Sequence, residues 1–286
     1  MTCTAQTRLE TMDVFHPYWA AFNARFRIMM QYRAAAVAGF VTQCWWGGIK
    51  VMIYAAFYQH SAQANLPIGL GQAITYTWLA QALFVLQPWS GDPEIAAAVR
   101  TGGIGYDRLR PVDTYAWWFV RAVAWMIARA LPRAGLMFAA AAVLMPLVGL
   151  QAWSWQLPAE PVQGVLFAVS LLWMILLCAA FTVLINVCVA KTLTDRGVNT
   201  LATAFVILFS GNLIPLSFFP DWAQPALVMQ PFAGMLDIPA RIYIGALGGG
   251  EAWAGIAVQA FWTLAFIAIG RAWMRSVMAR LEMQGG

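Results

Sequence analysis

The residues able to do chemistry in this chain are few, and their densest group sits in one place. Between long apolar runs lies a polar island, DPEIAAAVRTGGIGYDRLRPV (92–112), which holds Asp92, Glu94, Arg100, Asp107, Arg108 and Arg110. Carboxylates and guanidiniums at this density form charge-assisted hydrogen bonds or dock a charged partner. Covalent chemistry finds no support. His16 and His60 are the only histidines and no HExxH occurs, so no His-based metal site is expected. No paired carboxylate falls inside an apolar run, as a proton relay would need. Glu160, Asp221, Asp237 and Glu251 are the remaining acids that could gather on one side as a site. The GGIG at 102–105 lacks the third glycine of GxGxxG and follows no strand, so it is no dinucleotide fingerprint. There is no GxxxxGK[ST] either, and any nucleotide hydrolysis must come from another polypeptide.

The elements that position this island are those of a membrane protein. Of 286 residues, 62% are hydrophobic and only 10% charged, and the mean hydropathy is +0.67. A soluble domain carries about a quarter charged residues. The net charge of +5 could point to nucleic acid, but the basic residues cluster in short segments between apolar runs and are explained by topology, so no nucleic-acid partner is expected. Cys3, Cys44, Cys178 and Cys188 form no CxxC pair, and the last three read as small packing residues in spans. No cleavable signal peptide is evident at the N-terminus.

The expected fold is an all-α integral membrane protein, one domain over 1–286. Segment 14–33 places Phe15, Tyr18, Trp19, Phe22 and Phe26 on one stripe with Arg25 and Arg27 off it. It reads as an amphipathic helix lying in the headgroup region, with Pro17 in its first turn. Six spans follow, at 34–58, 66–87, 134–153, 162–190, 198–219 and 252–270, the third extended into the cytoplasm by 113–133, with Pro132 kinking or dividing the two. Lys50 lies deep in the first span, at a cost of about 2.5 to 3.5 kcal/mol, and must snorkel, face a partner or face a wet cavity. Within the island, Asp92 caps a short helix over 93–100, Pro93 takes its first position, and the glycines after Thr101 stop it. Segment 211–232 holds four prolines, and backbone broken this often must be paired inside protein or wetted, so re-entrant helices are expected between spans five and six. Asn186 is a candidate helix-to-helix hydrogen-bond partner. Of the seventeen Lys and Arg, all but Lys50 and Arg241 fall in segments assigned to the inside, which puts both termini in the cytoplasm.

Three stretches carry a resemblance: EIAAAVRTGGIGYDRLRPVDTY (94–115), GNLIPLSFFPDW (211–222) and QPFAGMLDIPARIYIG (230–245). The chain resembles the integral-membrane half of ABC exporters of the ABC-2 type, whose R-x-G-x-hydrophobic-x-x-x-L-x-R-P pattern is matched by Arg100, Gly102, Leu109, Arg110 and Pro111. The resemblance implies an N-terminal interfacial helix, six spans, and a cytoplasmic coupling helix between spans two and three. It also implies two cytoplasmic ABC ATPase subunits bound to the coupling helices, a second permease, identical or homologous, and a bacterial inner-membrane location. ATP and Mg would be held by the ATPase, with no cofactor in this chain and no catalysis by it. The cargo would be an amphipathic or hydrophobic molecule moved outward. Asp92, Glu94 and Arg100 are then expected to contact the ATPase, Gly102 and Pro111 to shape the joint, and Arg108 and Arg110 to pair with acidic or lipid-phosphate groups. Composition nominates Lys50, Trp45, Trp46, Phe209 and Asn212 for the substrate path. Pro215, Phe218, Phe219, Pro220 and Trp222 are nominated for an outer hydrophobic gate. The competing function is a membrane scaffold that recruits a soluble partner through the same island without transport.

Overall fold

The computed structural model describes residues 3–60 and 66–280; the side chains of 3–14, Arg108 and Arg280 lie outside the described residues. Among them the chain is helical throughout. The helices are α1 (Cys3–Met30), α2 (Arg33–His60), α3 (Leu70–Leu83), α4 (Pro93–Arg100), α5 (Gly105–Arg108) and α6 (Thr114–Phe138). After these come α7 (Met145–Leu147), α8 (Pro161–Thr192), α9 (Arg196–Phe209), α10 (Gln224–Met229), α11 (Asp237–Tyr243) and α12 (Gly249–Arg280).

Three helical runs are long and apolar enough to cross a membrane, Thr114–Leu147, Pro161–Thr192 and Gly249–Ala279. The protein therefore has an all-α, multi-pass membrane-type fold. Its central pillar is α8, whose Met174, Leu177, Cys178, Ala179, Ala180 and Val183 are fully buried. Against it lie α6, α11 and α12. Small residues on α8 let backbones approach closely, and dispersion at that range replaces the hydrophobic drive that lipid does not supply. Gln259 of α12 ties the pillar to its neighbours: its Oε1 accepts from Ser170 Oγ at 2.8 Å, and its Nε2 donates to the Gly234 carbonyl at 2.8 Å. Buried amides without such partners would destabilise the fold, so this bond also sets the register between α8 and α12.

Two expectations about helix limits are corrected. The stretch 113–133 joins the third span as expected, but the helix from Thr114 runs past Pro132 without dividing and ends at Leu147 rather than at 153. Arg121, Arg129 and Arg133 do not end it, because each has a partner: Glu94, the Trp125 ring and the Ala35 carbonyl. Ahead of Pro146 the backbone widens to a π-helix over Ala139–Leu144. The ring would otherwise press on the carbonyl four residues back, and the wider turn relieves it. The N-terminal helix likewise begins at Cys3, so Pro17 lies inside it and not in its first turn. A proline inside a helix removes one backbone bond; the turns on either side of it persist.

Candidate functional site

The polar island folds largely as its caps dictate. Asp92 accepts from the Glu94 N–H at 2.9 Å and Pro93 follows it, so α4 starts where the sequence places it. Ile95, Ala96 and Val99 are buried, and Ala96 packs with Ile185 and Val189 of α8. The loop before α4 is held by two other helices. Asn186 Oδ1 accepts from the Asp92 N–H at 2.8 Å, Asn199 Oδ1 accepts from the Gly91 N–H at 3.0 Å, and Thr203 donates to the Trp89 carbonyl at 2.6 Å. A Cβ at Gly91 would overlap Asn186 Oδ1, so this close approach requires glycine.

Beneath α4 lies a buried ion cluster that the sequence reading did not assemble. Arg25 of α1 is 5% exposed and Asp92 3% exposed. Arg25 Nη2 donates to both Asp92 carboxylate oxygens at 3.1 Å, while its Nη1 donates to Glu94. Arg121 of α6 closes the cluster with a 2.6 Å bond to Glu94 Oε2. Three helices thus meet on two carboxylates. Arg25 lies off the aromatic stripe, as the sequence shows, but it is the Arg25 face that packs inward, and Phe15 and Trp19 are exposed. A helical wheel orders residues around the axis without saying which face goes in. The two-pronged pairing of Arg25 Nη2 with Asp92 and of its Nη1 with Glu94 offsets much of the desolvation of these charges. Asp92, expected at the surface of a soluble partner, is turned inward. Glu94 is exposed but engaged by two guanidiniums.

The rest of the island is also internally paired. Arg100 pairs with Asp195 at 3.2 Å, next to the start of α9. Asp107 accepts from Trp118 Nε1 at 2.9 Å and pairs with Arg110, whose guanidinium lies 4.6 Å from the Trp117 ring centre. Gly102 has φ of 75°, which turns the chain out of α4 at little cost for glycine. Pro111 is exposed, and the Arg108 side chain lies outside the described residues. The two residues that sequence reasoning left without a contact role are Tyr106 and Leu109, 74% and 73% exposed on the joint. Their signal was present in YDRL, as large apolar groups in an otherwise polar segment.

The broken segment after α9 is gathered around one buried carboxylate. Helix α9 ends at Phe209, and Gly211 turns the chain with φ of 82°. Asp237, fully buried, accepts from the Leu216 N–H at 2.9 Å and from the Tyr76 hydroxyl at 3.0 Å, and its own N–H donates to the Ser210 carbonyl at 3.0 Å. Tyr76 also donates to the Gly211 carbonyl at 3.0 Å. Lys50 donates to the Asn212 carbonyl at 2.5 Å, and Asn212 Nδ2 donates to Gln87 Oε1 at 3.2 Å. Lys50 therefore faces a partner. Backbone groups freed by the prolines find side chains, as buried polar groups must.

A family model described as ABC-2 family transporter protein matches residues 46–285. The chain belongs to the ABC-2 family of transporter proteins. Members are membrane transport subunits that carry no enzymatic activity of their own. No curated protein and no solved structure matches the chain. The match begins inside α2, so α1 of this ABC-2 permease lies outside it, although α1 supplies the central guanidinium of the island.

The other nominated residues of the permease are scattered. Trp45 and Trp46 are exposed on the outside of the chain. Phe209 stacks on Phe205 and packs near Phe232. Phe218 packs against Tyr54 and Phe57 of α2. Pro215 is buried, Phe219 half-buried, and Pro220 and Trp222 exposed. The acids Glu160, Asp221 and Glu251 are exposed while Asp237 is enclosed, so they build no common site. Among the described residues no cluster of metal-ligating side chains occurs.

Proposed function

We propose that this permease is one half of an ATP-driven exporter in a bacterial inner membrane. Two cytoplasmic ATPase subunits would drive it, and a second permease, identical or homologous, would complete the pathway. The observation that carries the reading is α4. It is capped at its start, clamped from beneath by Arg25 and Arg121, and seated on α8, while Glu94, Ala97 and Arg100 face outward. A push on that outer face reaches α1 and α6 through the ion cluster and α8 through Ile95, Ala96 and Val99. Rigid connections of this kind transmit a partner's motion without chemistry of their own. On this reading Asp92 anchors the lever, and the ATPase meets Arg100, Tyr106 and Leu109.

Six crossings by α2, α3, α6 with α7, α8, α9 and α12 fit the charge distribution, which leaves only Lys50 and Arg241 away from the α4 end among the basic residues. Helix α9, with 14 residues, spans about 21 Å at 1.5 Å per residue, short of a hydrocarbon core of about 30 Å. The broken segment after it makes up the remaining depth as a re-entrant passage. The exposed Phe15 and Trp19 suit α1 to lie among lipid headgroups at the α4 end, with both termini in the cytoplasm. Phe218 against Tyr54 and Phe57 would close the outer mouth to a hydrophobic or amphipathic cargo moving outward.

Reconstitution with the partner ATPase tests the reading: ATP turnover coupled to vectorial movement supports an exporter, whereas binding without movement favours the scaffold. The double change Tyr106→Ala with Leu109→Ala is expected to weaken ATPase co-purification about tenfold or more, since large side chains at an interface centre carry most of its energy. Undiminished association would remove the docking role. Phe218→Ala is expected to alter export in the same vesicles with ATPase binding intact; identical export rates would dispose of the gate.

A further inference from the structure

Between α4 and helices α6, α8 and α9 lies a cavity of about 200 Å³. Its lining includes Arg129, Trp89, Trp125, Asn186 and Gln87. Asp92 and Asp195 also border it, but Asp92 is engaged by Arg25 and Asp195 by Arg100. Arg129 has no carboxylate partner among the described residues, and its guanidinium lies over Trp125, 4.3 Å from the ring centre. That leaves the cavity wall with a surplus of positive charge.

The amides point the same way. Asn186 is 1% exposed, and because its Oδ1 accepts from the Asp92 N–H, its Nδ2 is left as a donor. That nitrogen has no partner among the described residues. Gln87, 3% exposed, repeats the pattern: its Oε1 accepts from Asn212, and its Nε2 is without an acceptor. A buried donor left unpaired has given up its hydration without a replacement bond and destabilises the fold. Two of them beside an unpaired guanidinium call for a ligand with several acceptor oxygens and negative charge.

We propose that this cavity binds a phosphate oxyanion, with Arg129 as its charge partner and the Asn186 and Gln87 amides as donors. The volume admits a phosphate and the atoms next to it, but not a whole lipid. The group comes from a phospholipid headgroup or from free phosphate; Trp89 and Trp125 offer apolar wall to the carbons beside a headgroup phosphate and favour the headgroup. The site does not depend on the permease being an exporter. Only the assignment of the lipid to the cytoplasmic leaflet rests on the orientation proposed above.

Thermal unfolding of the purified full-length chain in detergent tests it, with phosphatidylglycerol, the phosphate-free monogalactosyl diacylglycerol, or inorganic phosphate added. A higher melting temperature with phosphatidylglycerol but not with the glycolipid is expected. If inorganic phosphate raises it too, the site stands and takes soluble phosphate; if only the lipid does, the site stands and takes a headgroup. Arg129→Gln is expected to raise the half-saturating phosphatidylglycerol concentration about tenfold or more, the loss of a charge-assisted bond, and Arg129→Lys to retain most of the effect. Asn186→Asp keeps the acceptor for the Asp92 N–H but removes the amide donor, and carries the test should Arg129→Gln fail to fold. Equal shifts with both lipids, no shift with any ligand, or shifts unchanged in Arg129→Gln and Asn186→Asp would overturn the proposal and leave the cavity to water.

Discussion

Arg25→Met is expected to destabilise the protein by about 3 to 5 kcal/mol, the range for breaking a buried ion pair by removing one partner. The variant leaves the Asp92 carboxylate enclosed, with the Glu94 N–H and, at 3.9 Å, Arg121 as its remaining compensation. Asp92→Asn in the same chain removes the stranded charge, and asparagine caps a helix about as well as aspartate. The double variant is therefore expected to recover much of the loss, which identifies coupling between the two residues and not a general defect in α1. Thermal unfolding of the purified chain in detergent reads both effects. A single variant within about 0.5 kcal/mol of the parent, the range of an ordinary surface change, would show that the cluster does not hold α1, α4 and α6 together. If α4 is the lever, ATP turnover by a bound partner should also lose its coupling to transport in the single variant.

Asp237→Ala is expected to be comparably severe. It strands the Leu216 N–H and the Arg241 guanidinium, which pairs with Asp237 at 3.6 Å, and leaves the Tyr76 hydroxyl only the Gly211 carbonyl. Buried groups left unsatisfied cost about 1 to 3 kcal/mol each, more when charged. Asp237→Asn preserves one acceptor and is expected to lose less. Ser217, buried beside this segment, supplies a local readout: a Ser217→Cys thiol shielded from a membrane-impermeant maleimide should become labelled when Asp237 is also replaced by alanine. Slow labelling together with unchanged melting would mean that the broken backbone is held by something other than this carboxylate.

Local chemistry was the legible part. The start of α4 at Asp92 and Pro93 and its stop at Gly102 follow from capping and glycine, whose causes lie within a few residues. The expected run 162–190 became Pro161–Thr192 for a similar reason, because nothing charged interrupts it. The third long helix was expected from about 113, but what holds its arginines was not legible. Their partners, Glu94 and the Ala35 carbonyl among them, are distant in the chain, and so the helix continues through them.

Arg25 marks the limit most clearly. Composition, charge placement and the motif around the island determined a multi-pass helical membrane protein of this family, and they singled out the polar segment 92–112 with its capped helix. They also required that the proline-broken segment be satisfied internally, since unpaired backbone cannot face lipid. Which groups satisfy it, Asp237, Tyr76 and Lys50, was decided only in the folded chain. So was the inward turn of Arg25, the burial of Asp92 and the exposure of Tyr106 and Leu109. The physical reason is common to all of these: whether a charge faces water or the interior depends on the free energy of meeting its partner. Arg25 and Asp92 meet across 67 residues of chain, a separation over which no local pattern operates.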